Sequence, residues 1–127
     1  MTHAHSSLSS LGQIGIPVRS VPAATAFYRE QLGLPFLFDA PGMAFFDAGG
    51  VRLMLSGPEV GAVGPAGAVL YFKVADIEAT HDELARRGVE FVQRPHVVAK
   101  RPDHDLRLAF FRDPSENLLA LMSEVRR

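Results

Sequence analysis

A short series of positions recurs along this chain at a nearly constant separation, and that regularity limits the fold more than any other feature of the sequence. Val18 and Val74 stand 56 residues apart, as do Val21 and Ile77. Gly33 and Gly88 stand 55 apart, Ala44-Phe45-Phe46 returns 65 residues later as Ala109-Phe110-Phe111, and Leu53-Met54-Leu55 returns 66 later as Leu119-Ala120-Leu121. Ordered pairs of strand, helix end and hairpin at steady separation are the mark of a duplicated module. The drop to 55 removes one helix residue from the second copy, and the rise to 65 inserts about ten residues within Arg94 to Asp105.

Each copy reads as βαβββ. In the first, Ile14, Ile16 and Val18 alternate with Gln13, Gly15 and Pro17, which predicts a strand. Ser20 offers an N-cap oxygen, Pro22 sits in the first turn and Gly33 marks the stop, so a helix is expected between them with Val21, Ala24, Phe27, Tyr28 and Leu32 on its apolar face. Strands follow over 36–38, 43–47 and 51–56, separated by Pro41-Gly42 and Gly49-Gly50. Residues 57–67 carry too many glycines and prolines for a regular element. The second copy opens with a strand over 69–74, then a helix capped by Asp76, with Ile77 and Leu84 inward, His81 at its exposed edge and Gly88 closing it. A strand at Phe91 precedes the inserted stretch, and the chain closes with two almost wholly apolar strands, 108–111 and 118–122, around the turn Asp113-Pro114-Ser115-Glu116-Asn117.

Length and composition narrow the classes of function. At 127 residues one domain is expected, spanning 11–127 behind a mobile tail over 1–10, with module one over 11–57, a connector over 58–67 and module two over 68–125. A formal charge of -1 gives no basic footprint for nucleic acid. The absence of cysteine excludes disulfides, thiolate metal sites and a cysteine nucleophile, and makes the cytoplasm the default location. No apolar run is long enough to predict a membrane span. The glycines at 61, 64 and 67 lack the Lys-Ser/Thr ending of a phosphate loop.

With the repeat established, QIGIPVRSVPAATAFYREQLGLPF, VLYFKVADIEATHDELARRGVEF and FFRDPSENLLALM resemble the vicinal oxygen chelate superfamily, which includes glyoxalases, extradiol dioxygenases and bleomycin-resistance proteins. The resemblance covers about residues 11 to 124 and implies an α+β fold, in which two tandem βαβββ modules form an open, barrel-like mixed sheet around a cavity, with helices outside. It also implies a homodimer. Metal enzymes of the superfamily place four ligands in the cavity; carried onto this chain, those positions are Gln13, Met54, Val69 and Ala120. Three cannot ligate a hard divalent ion, and a lone Gln cannot hold a catalytic one, so no metal and no cofactor is expected. The turn also lacks the glycine usual in the family, so a left-handed conformation is expected at Asn117.

If those four side chains point inward, strand parity brings Arg52, Ser56, Tyr71, Lys73, Leu118 and Met122 to the same faces. The expected ligand-binding set is therefore Gln13, Arg52, Met54, Tyr71, Lys73, Phe110, Ala120 and Met122, with Tyr71 and Phe45 or Phe46 free to stack on a planar molecule. The expected partner is a small, partly aromatic molecule. The alternative is a lyase, isomerase or dioxygenase that takes its acid/base or metal groups from His96 and His104 in the inserted stretch, which otherwise serves as a loop, lid or dimer contact.

Overall fold

A computed structural model describes residues 7–62 and 64–126. The expectation of a mobile tail and the readings of His3 and His5 fall largely or wholly outside these residues. The element order is β1 (Gln13–Pro17), α1 (Val21–Ala26) continued by a π-helical turn (Phe27–Gln31), β2 (Phe36–Ala40), β3 (Met43–Ala48) and β4 (Val51–Ser56). After a short 3-10 turn (Pro58–Val60) come β5 (Leu70–Lys73), α2 (Ile77–Arg86), β6 (Phe91–Lys100), β7 (His104–Arg112) and β8 (Leu118–Arg126). Among the described residues no helix is long and apolar enough to cross a membrane.

The strands form two four-stranded sheets of the same topology, ordered β1-β4-β3-β2 and β5-β8-β7-β6. In each, the first strand lies parallel to the last, and the remaining neighbours are antiparallel. The ladder reproduces the repeat residue by residue: Ile14 pairs with Leu53 as Leu70 pairs with Leu119, and Gly15 pairs with Met54 as Tyr71 pairs with Ala120. The two sheets are not closed into a barrel.

One core serves both modules. Ile16, Leu53 and Leu55 from the first sheet and Leu119 and Leu121 from the second pack with Phe27, Tyr28, Ile77 and Leu84 from the helical segments. Ser20 caps α1 through Ala23 N and Asp76 caps α2 through Ala79 N, as their positions predict. The first helix is not α-helical throughout. At Phe27 it widens, with Leu32 N donating to the carbonyl of Phe27, and the two bulky rings Phe27 and Tyr28 are both buried.

Three further expectations need correction. The stretch 94–105 is not a separate loop: β6 and β7 continue through it as one long hairpin that turns over 101–103. Its polar residues fit a two-stranded arm because that arm is solvated, and the ladder absorbs three irregularities between Phe91 and Ala99. His81 is buried rather than on the helix edge; with Ile77 and Leu84 it lies at i, i+4 and i+7, so the helical period itself turns it inward, 4.3 Å from the Phe91 ring. The left-handed residue is Glu116 (φ 68), not Asn117, because the Asn117 amide is needed inside.

That turn joins the modules. Asp113 Oδ1 accepts from the backbone N–H groups of Ser115 (2.8 Å) and Asn117 (2.9 Å), while Oδ2 accepts from the Tyr28 hydroxyl (2.8 Å) and the Asn117 amide (2.9 Å). The Asn117 amide also donates to the Pro17 carbonyl and its oxygen accepts from Ala66 N, and Ser115 Oγ accepts from Arg19 N. A buried carboxylate with four donors is fully compensated. Taking the left-handed step at exposed Glu116 leaves Asn117 free to complete this network.

Candidate functional site

The site is built first on the face of the β1-β4-β3-β2 sheet away from the shared core. Because Phe38 pairs with Phe45, Phe45 with Met54, and Gln13 with Arg52, alternation brings these five side chains to one face. Phe38 and Phe45 are stacked, with centroids 4.4 Å apart and planes at 21°. The Arg52 guanidinium carbon lies 5.5 Å from the Phe45 centroid and 6.0 Å from that of Phe38. Arg52 Nε donates to Gln13 Oε1 at 2.7 Å, and the Gln13 amide in turn reaches Met54 Sδ at 3.5 Å. Phe46 points the other way and is wholly buried.

On the second sheet Tyr71 and Phe110 meet edge to face at 6.1 Å, with Ala120 as the cross-strand partner of both. Ala120 is buried, whereas Tyr71 is 48% exposed. Lys73 and Met122 are cross-strand partners one step further along, and Lys73 Nζ lies 3.6 Å from Glu124. Leu118 shares this face, next to Arg112 on β7. A cleft of about 320 Å³ is lined by residues of both modules; Ile14, Leu53, Leu70 and Phe72 belong to its core side, and of the residues on the site face Arg52, Val69 and Tyr71 reach it. Its size is that of a small-ligand site, at the low end.

The structure thus unites Gln13, Arg52 and Met54 in one group and Tyr71, Phe110 and Ala120 in another, and Arg52 and Tyr71 line one cleft. It does not bring His96 and His104 together. His96 faces Leu108 across the ladder, with its Nδ1 2.8 Å from the Arg94 carbonyl. His104 stands four residues along β7 from Leu108, between Asp103 (2.7 Å) and Glu124 (3.1 Å). The hydrogen bond from His104 lowers the Asp103 pKa. The sequence sets Phe38 on a strand but not in the site: plain alternation puts it on the core-side face of Phe36, and the register shift between the two, with Phe36 opposite Phe46 and Phe38 opposite Phe45, turns it to the other face.

Tested against a metal, the donor set does not fit. Gln13 Oε1 is held by a cation, Met54 offers a thioether, Val69 and Ala120 offer no donor, and the Arg52 charge sits beside them. Among the described residues no group of three or more His, Asp or Glu side chains could hold a metal ion.

The paired βαβββ modules set the fold, and comparison with known proteins gives the superfamily. A family model described as Glyoxalase/Bleomycin resistance protein/Dioxygenase superfamily matches residues 10–121, and the chain belongs to that superfamily. The uncharacterized protein YraH of Bacillus subtilis (strain 168) is 32% identical over 123 residues, covering 86% of this chain and 94% of its own length. Among solved structures, a superfamily member from Sphaerobacter thermophilus matches with a TM-score of 0.77 at 23% identity, over 92% of this chain and 98% of that one. A lactoylglutathione lyase from Agrobacterium tumefaciens matches with a TM-score of 0.73 at 20% identity, over 93% and 96%. At that identity the solved structures share the fold, and the activity in their names stays theirs.

Proposed function

We propose that this chain is a metal-independent binding protein of the superfamily, acting as a homodimer that takes up a small, partly aromatic molecule. The observation that carries the reading is the occupation of the would-be ligand positions: Gln13 bonds to both Met54 and Arg52, and Val69 and Ala120 are apolar. In place of donors for an ion, the face presents a stacked aromatic pair and one cation, which suits a flat organic molecule. Exposed apolar residues on both sheets, Phe38 and Tyr71 at the site and Val97 and Val98 on the long hairpin, supply surface for a second copy to cover. The two ring nitrogens of His104 are engaged by Asp103 and Glu124, which fits a role in bracing the arm better than one in proton transfer.

Native mass spectrometry of gently purified protein tests the reading. The expected spectrum shows the dimer, with an organic molecule retained at up to one per site, and stripping that molecule lowers the melting temperature by linkage. A chain that stays monomeric and retains nothing contradicts it.

A further inference from the structure

Resting on that reading, we infer the chemical class of the ligand: a planar aromatic or conjugated carboxylate, with Arg52 as the residue that selects its charge. Among the described residues Arg87, Arg107, Arg112 and Arg126 each pair with a carboxylate and the remaining arginines do not; what sets Arg52 apart from these is its fixed place on the site face beside Gln13, Phe38 and Phe45. Among the described residues no carboxylate lies within ion-pair distance of Arg52. Asp47 is directly opposite it on β3, but Asp47 Oδ1 instead accepts from Gly50 N at 2.9 Å and so closes its own hairpin. Lys73, on the second sheet's site face, is already matched by Glu124.

The guanidinium is also held in place. Gln13 Oε1 takes the Nε–H, and the Phe38 and Phe45 rings lie beside it, so the two terminal nitrogens are left as an open fork. A planar fork with fixed orientation is suited to a carboxylate, which it can meet with two parallel hydrogen bonds. Phe38, 45% exposed and backed by the buried Phe45 ring, supplies a flat apolar surface next to it for the rest of a conjugated molecule. The cleft by Arg52 admits a ligand of that size and brings Tyr71 from the other module to its lip. Arg52 thereby stands at the junction of an apolar platform and a cleft, where an anionic head and an aromatic body are recognised together.

The test uses a matched pair of probes, naphthalene-2-carboxylate and naphthalene-2-carboxamide, titrated by calorimetry into the full chain near neutral pH. The expected result is binding of the carboxylate about tenfold or more tighter than the amide, a preference that added salt reduces. Arg52→Gln should erase the preference by weakening the carboxylate far more than the amide; Arg52→Lys should keep part of it, since charge survives and the fork does not. Equal binding of the two probes, or a preference that survives Arg52→Gln, overturns the inference and leaves the small-molecule reading standing. Binding of neither probe also overturns it, and a retained molecule in the native mass spectrum then shows whether the broader reading survives. Arg52 is exposed, and the preference is read in the unaltered protein first, so a misfolded variant does not shield the inference.

Discussion

The last hairpins of the two modules occupy equivalent places and do opposite work. Between β3 and β4 the chain turns through Gly49-Gly50, both at positive φ, a two-residue connection that touches solvent and is tied only by Asp47. Between β7 and β8 it takes five residues, Asp113 to Asn117, three of which are buried and bonded to β1, to the first helix and to the connector. The contrast teaches that duplication gave two copies of one topology and that the copies then divided the labour. The tight turn leaves the β3-β4 face that carries Arg52 and Met54 uncovered, the face proposed above to take a ligand; the elaborate one locks the modules together.

The comparison is broken most forcefully at Asp113. Asp113→Ala leaves the Tyr28 hydroxyl, two backbone N–H groups and the Asn117 amide short of an acceptor, and should cost about 3 to 4 kcal/mol in urea denaturation. The counterpart change in the first hairpin, Asp47→Ala, removes one exposed turn bond and should cost about 0.5 kcal/mol. Similar losses at the two sites would contradict the division of labour.

A smaller effect follows from the same network. Burial, then the neighbouring Asp113 carboxylate, raise the pKa of the Tyr28 hydroxyl far above its ordinary value of about 10. In the unfolded chain the group loses its proton at that ordinary value, whereas in the fold it keeps it. Its contribution is therefore complete below about pH 10 and is lost as the pH rises above it. Stability measured from pH 8 to 11.5 should fall at the alkaline end, and Tyr28→Phe should flatten that limb while costing about 1 to 2 kcal/mol at neutral pH. An unchanged limb in the variant would remove Tyr28 from the account.

Much of this was legible in the residues. Constant separation placed both modules, and because a strand's period is two, one correct pairing puts a whole set of side chains on its proper face. The resemblance sets Gln13 and Met54 on the cavity side, and the period of two then adds Arg52 to the same face. Other features were not local. The separation of the two sheets depends on how strand edges pack. The long β6-β7 arm is composed of polar and proline-bearing residues that read as a loop, and its pairing tolerates irregular register. Glu116 takes the left-handed conformation for the sake of a network reaching 100 residues back along the chain to Pro17, which no turn rule contains. His81 differs from these: its i+4 spacing from Ile77 turns it inward whatever its polar ring suggests.

The proposed function stands or falls on this chain working without a four-ligand metal centre. The measurement is equilibrium dialysis against Zn, Ni, Mn and Fe(II), read by elemental analysis, on a His3→Ala/His5→Ala variant so that metal taken by those two histidines is not counted. No metal above the buffer level is expected for any of the four. One equivalent of metal retained per chain, and lost on Gln13→Ala or Met54→Ala, would contradict it.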